Sequence, residues 1–197
     1  VGKISGNEAL QLLVEGNKRF AKGALAVKDM GAARRENLSA NGQEPFAVVV
    51  TCSDSRVPPE LLFDQALGDI FVVRTAGNVV GPIAIGSVEY AVEHLETPLL
   101  VVLGHEKCGA VKATVDGGEA PGSISAIVNK IIPSVQKAQA AGLKGSELCE
   151  AATFENIGAT IADLEKSPIV KHFIKDGRLK IVGAKYHLSS GEVTFYN

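Results

Sequence analysis

The sequence predicts an α/β domain on a mostly parallel sheet, and three observations carry the prediction. Short unbroken apolar runs recur at residues 46–50, 70–73, 99–103 and, more weakly, 179–184. Unbroken runs suit strands buried on both faces, as parallel strands are, whereas a half-exposed strand alternates. Segments of helical character separate these runs, and that alternation is the mark of an α/β fold. Size and composition agree with it. At 197 residues the chain is one ordinary domain, and 46% hydrophobic against 21% charged residues supplies enough apolar surface for a core.

Each element can be justified in order. Ser5-Gly6-Asn7-Glu8 reads as a capping box, with Ser5 as cap and Glu8 three residues on. An amphipathic helix should follow to about Phe20, with Leu10, Leu13 and Phe20 on one side. The polar stretch 21–44 predicts one short helix near residues 30–37. Residues 1–44 contain few large apolar side chains, so they are read as a helical arm lying on the domain or on a neighbouring subunit. The domain proper is residues 45–197. Within it the strands are joined by helices predicted over 79–95, 108–115, 123–140 and 146–165, and Pro133 should kink or split the third of these. Ser189-Ser190-Gly191 marks a turn, after which 193–196 should return as a C-terminal antiparallel strand. The expected architecture is four mostly parallel strands plus that last one, flanked by helices.

Charge and cysteine usage narrow the function classes. Twenty basic against 22 acidic side chains give a net charge of -2, with no run of one sign. No nucleic-acid surface is expected from such a balance. The apolar runs fall far short of the ~20 residues of a membrane span, so no membrane partner is expected. Three cysteines, at positions 52, 108 and 149, cannot pair completely, and free or metal-bound thiols are the better reading. The expected compartment is the cytoplasm, or the periplasm where a leader was removed ahead of Val1.

The chemistry gathers at two strand ends. Cys52 follows the first apolar run within Thr51-Cys52-Ser53-Asp54-Ser55-Arg56, and His105 follows the third within Gly104-His105-Glu106-Lys107-Cys108-Gly109. Ligands of open α/β sheets bind beyond the carboxyl ends of the strands, so both segments point at one edge. His105 and Cys108, three apart at a predicted helix start, are expected on one helix face. Two thiolates and one imidazole form a donor set for Zn2+, and three protein ligands leave a fourth position for water. A helix N-terminus at Cys108 would favour its thiolate. Asp54 could accept a hydrogen bond from that water or bind the metal itself, and Arg56 is the partner to hold it off in a bidentate pair. Two thiolates cancel the charge of the ion, so the water is less acidic than at an all-imidazole site and activity should rise on the alkaline side of neutrality.

Through Cys52-Ser53-Asp54-Ser55-Arg56 and His105-Glu106-Lys107-Cys108 the chain resembles the β-class carbonic anhydrases, whose motifs are Cys-x-Asp-x-Arg and His-x-x-Cys. The resemblance extends from the N-terminal helix to the last strand. It implies zinc on Cys52, His105 and Cys108, a catalytic dyad of Asp54 and Arg56, and reversible hydration of carbon dioxide to bicarbonate and a proton by hydroxide on the metal. It also implies dimers or tetramers in which the N-terminal helices embrace a partner. Gln43, nine residues before Cys52, with Phe71 and Tyr90, matches positions lining the carbon dioxide pocket of the plant-like branch. Another branch closes the site with the aspartate on zinc and places Trp three residues before the first Cys. Here that residue is Val49 and the chain has no Trp, which favours the open form.

Competing readings remain on the same residues. The family resemblance also covers hydrolases of carbon disulfide or carbonyl sulfide, whose selectivity lies in channel shape. A non-catalytic zinc domain would need Asp54 locked onto the metal. A cysteine phosphatase needs a longer phosphate loop, whereas only three residues separate Cys52 from Arg56. Taken singly, Cys52 and Cys108 would be packing residues, as free cysteines often are. Cys149 is read that way, and His94, His172 and His187 show no partner pattern.

Overall fold

A computed structural model describes residues 4–196. Five strands form one sheet in the order β2-β1-β3-β4-β5: β1 (Ala47–Cys52), β2 (Ile70–Thr75), β3 (Leu99–His105), β4 (Lys180–Tyr186) and β5 (Val193–Tyr196). The first four are parallel and β5 runs antiparallel to β4, as the apolar runs and the terminal hairpin predict. Every residue of β1 and β3 is buried, which is why these two read as unbroken apolar runs.

The eight helices among the described residues cover both faces. Val49, Val101 and Leu103 face a layer that includes Ala9 and Leu13 of α1 (Gly6–Ala21) and Leu62 of α3 (Pro59–Leu62). Val48, Val50, Leu100 and Val102 face α4 (Pro82–Glu93), α7 (Gly145–Leu164) and α8 (Pro168–Lys175). A third apolar cluster joins α5 (Gly109–Asp116) and α6 (Ile124–Ala140) to α7 and includes Cys52 and Cys108. Among the described residues no helix is long and apolar enough to cross a membrane.

The first helix starts on the predicted capping box, with Ser5 N–H donating to the Glu8 carboxylate at 2.7 Å and Glu8 N–H to Ser5 Oγ at 3.2 Å. It is set hard against the end of α3. A β-carbon added at Gly16 would come within 1.8 Å of the Phe63 carbonyl oxygen. Asn17, buried beside it, donates to the carbonyls of Leu62 and Gly191 and accepts from Val193 N–H. By contrast α2 (Ala32–Asn41) buries no residue and is held from outside, through Arg34 on the Leu67 carbonyl and Asp69. Gly16→Ala is expected to push α1 off the α3–β2 connection and lower stability by at least ~1–3 kcal/mol, read as a lower urea midpoint.

One expectation needs correction, and two helices lie outside those predicted. Pro133 does not split its helix, which runs unbroken from Ile124 to Ala140. The turns on either side are anchored by buried Ile131, Val135 and Ala138, which outweigh one missing backbone hydrogen bond. The short α3 and the eight-residue α8 were not anticipated. The second of these carries a start signal, Ser167 as N-cap accepting from Val170 N–H with Pro168 in the first turn.

Candidate metal centre

Sheet order decides where a site can form. From β1 the chain passes to β2 on one side, then returns across β1 to β3 on the other, so the connections diverge between β1 and β3. Their carboxyl ends flank a crevice. Thr51 pairs with Leu103, and Cys52 and His105 lie one and two residues beyond that rung. Thr51 Oγ1 donates to the Leu103 carbonyl at 2.8 Å and ties the two strands at this level.

Cys52, His105 and Cys108 converge there, all buried, with their ligand atoms within 4.8 Å of one another. The convergence differs from the expected one. His105 ends β3 and Cys108 is the N-cap of α5, so the two do not share a helix face. Lys107, at φ +52°, takes a left-handed conformation that turns the chain back and brings the Cys108 sulfur beside the imidazole.

The donor set fits zinc on evidence of its own. His105 is fully buried, and its Nδ1 lies 2.8 Å from the Glu106 carbonyl oxygen, which can only accept. Nδ1 therefore carries the proton, and Nε2 presents a lone pair. That Nε2 has no hydrogen-bond partner among the described residues. An orphaned buried acceptor beside two thiols is costly unless a cation satisfies it. The sulfurs argue likewise. The hydrogen bond from Cys108 pulls the Cys52 thiol down against the opposing effect of burial, and the amides of Asp54 and Gly77 add to it. The neighbouring Cys52 sulfur and burial push Cys108 up, although the amides of Val111 and Ala110 oppose this. Two thiolates can coexist there only around a cation, and a zinc tetrahedron has edges of roughly 3.5–3.8 Å, within the observed spread.

Asp54 stands at the open side. Its Oδ1 accepts from Arg56 N–H and Nε, both at 2.9 Å, and its Oδ2 accepts from Arg56 Nη2 at 2.7 Å. This bidentate pair holds the Asp54 carboxyl well below the usual carboxylate range, with burial opposing. Oδ2 lies 3.9 Å from His105 Nε2. The carboxylate thus borders the cluster while both oxygens are engaged by Arg56.

Three supports escaped the sequence reading. Arg74 of β2 donates Nε to the Cys52 carbonyl at 3.0 Å and Nη2 to the Asp54 carbonyl at 2.6 Å, clamping the loop from beneath. Gly77, in the Ala76–Asn78 turn after β2, donates its N–H to Cys52 Sγ at 3.3 Å. Its φ of +70° and the space filled by Ile131 and Ala110 require glycine. Asn156 of α7, buried, donates to the Gly77 carbonyl at 2.7 Å and fixes that turn. A glycine after a strand end was the one available signal.

Gln43, Phe71 and Tyr90 lie elsewhere. Gln43 is exposed and precedes the end of β1 opposite Cys52. Phe71 pairs with Val48, four residues back from the Cys52–Thr75 rung, or roughly 13 Å along the strand. Tyr90 stacks on it with ring centroids 6.3 Å apart. One chain does not bring these three to its own cluster. Of the remaining histidines, His94 stacks on Tyr90, His172 approaches Asp176 at 3.4 Å, and His187 bonds Glu106.

Residues 47–193 match the carbonic anhydrase family model. A carbonic anhydrase of Mycolicibacterium smegmatis is 45% identical over 94% of this chain and 90% of its own length. Carbonic anhydrase 2 of Mycobacterium tuberculosis is 42% identical over 93% and 89%. The structure of the β-carbonic anhydrase CcaA, 30% identical, superposes with a TM-score of 0.77 over 95% of both chains. The chain belongs to the β-class carbonic anhydrases. In this β-carbonic anhydrase the β1–β3 crevice gathers two sulfurs, one imidazole and a guanidinium-bound carboxylate.

Proposed function

We propose that the protein catalyses reversible hydration of carbon dioxide to bicarbonate and a proton, at zinc held by Cys52, His105 and Cys108. The observation that carries this reading is the buried His105 Nε2 without a partner, facing two thiols, beside a carboxylate locked by arginine. Bound zinc supplies Lewis acidity, which makes water a nucleophile near neutral pH.

The protein's own groups then divide the work. Asp54, kept anionic by Arg56, would accept the hydrogen of that water and so orient it toward the carbon of the substrate. Arg56, half-exposed at the mouth, keeps the carboxylate from entering the cluster. Arg74 and the Gly77 amide hold Cys52 in place. The product proton passes to solvent or buffer.

Gln43, Phe71 and Tyr90 are proposed to line the carbon dioxide pocket. Phe71 lies on the edge strand β2 and Tyr90 is 48% exposed, so a pocket that includes them needs a second copy of the chain against that edge. The reading therefore includes a dimer or a higher assembly.

Stopped-flow pH-indicator assays of zinc-loaded protein test it. Hydration should exceed the buffer rate at alkaline pH, disappear on removing zinc with a chelator and return on adding it back. A zinc-loaded sample no faster than buffer would overturn the reading, and sulfide release from carbon disulfide or carbonyl sulfide in that sample would redirect it to those substrates.

A further inference from the structure

Glu106 sits between two of the cluster's residues and points away from it, yet it is the most connected residue of the loop. Its carbonyl oxygen is the acceptor for His105 Nδ1 at 2.8 Å. Its N–H donates to the Tyr186 carbonyl at 3.0 Å at the end of β4. Its carboxylate accepts from His187 Nδ1 at 2.7 Å through Oε1 and from Leu188 N–H at 3.1 Å through Oε2. His187 is held in turn, with Nε2 3.0 Å from Thr194 Oγ1 of β5 and its peptide paired with Glu192 and Gly191.

Glu106 and His187 are each about three-quarters withdrawn from water. Withdrawing two such groups costs desolvation, so the pair is poor evidence of stabilisation as such. What it does fix is a direction. The imidazole of His105 turns about its side-chain bonds, and among the described residues the Glu106 carbonyl is what holds it on the Nδ1 side. That carbonyl is aimed by a residue bolted through its N–H to the end of β4 and through its carboxylate to the β4–β5 connection.

We propose that Glu106 and His187 form a positioning pair that sets, through the Glu106 backbone, the aim of the His105 ring and hence the affinity of the cluster for zinc. Neither residue touches substrate or metal. The inference rests on the zinc reading above, and its test separates the two.

Zinc affinity is measured by competition with a chromophoric chelator, for wild type, Glu106→Ala, Glu106→Gln, His187→Ala and the double alanine variant. Glu106→Ala is expected to bind zinc about 10- to 100-fold more weakly, the usual effect of losing an outer partner of a ligating histidine. Glu106→Gln should recover most of that loss, since its amide can accept from Leu188 and donate to the other tautomer of His187. The double variant should lose no more than Glu106→Ala alone, because the two act as one unit. The visible spectrum of the cobalt-substituted protein should change in the alanine variants and resemble wild type in Glu106→Gln. If Glu106→Ala fails to fold, His187→Ala reads the same contact from the other side. Alanine variants that bind zinc as tightly as wild type would overturn the proposal, as would a glutamine variant as weak as alanine. A wild type that binds no zinc removes the metal reading, and this inference with it.

Discussion

Cys52→Ser is expected to leave the purified protein without zinc and without hydration activity. A serine hydroxyl does not ionise near neutral pH, so the change removes one of two thiolates and leaves an imidazole and a single sulfur. Structural zinc sites bind with about 10–16 kcal/mol over four ligands, roughly 3 kcal/mol or more each, so affinity should fall about 100- to 1000-fold. The fold should survive, because serine is nearly the same shape and its oxygen can still accept the Gly77 N–H that now reaches Cys52 Sγ. Metal analysis together with circular dichroism checks both halves. A folded Cys52→Ser protein carrying one zinc per chain would remove Cys52 from the ligand set.

Asp54→Asn is expected to do the opposite, keeping zinc and losing at least about 100-fold in hydration rate, within the range for a positioned acid–base group. The amide keeps the shape but puts N–H donors where Arg56 supplies its own, so the bidentate pair is broken and the acceptor is weakened. Zinc content with the stopped-flow rate decides it, and a variant at wild-type rate would sink the role of Asp54. Stability should carry a pH signature as well. The folded carboxyl lies below its unfolded value, so the wild-type pair adds stability that is fully present above pH ~3.9 and is lost as pH falls toward the folded value. The Tm gap between wild type and Asp54→Asn should be widest near neutrality and close in acid. A gap unchanged between pH 7 and pH 3 would show that Arg56 does not hold the charge.

The parts of this protein that the sequence discloses are those in which one residue type does one physical job. β1 and β3 show as unbroken apolar runs because every residue in them is buried. Cys52, His105 and Cys108 stand out because few other reasons place such donors at two strand ends. What stayed hidden has long range or little chemistry of its own. His187 and Glu106 are 81 residues apart in the chain, and only the β3–β4 pairing brings them together. Arg74 reads as an ordinary surface residue until β2 is laid beside β1. Asn156 reads as one polar residue in a helix, and only packing shows its amide on the Gly77 carbonyl. The spacing of His105 and Cys108 pointed to the right pair through the wrong geometry, since a left-handed residue between them does what a helix turn was expected to do.

Two of the cluster's side chains are steered by peptide groups: the Glu106 oxygen for the imidazole and the Gly77 amide for the first sulfur. A backbone atom is the same whatever letter stands at its position, so this steering is written in an alphabet that residue substitution does not directly edit. Such a centre is damaged less by swapping a neighbour's side chain than by bending the ribbon, and an insertion or deletion of one residue at either strand end would be more harmful than many point changes within van der Waals reach of the donors.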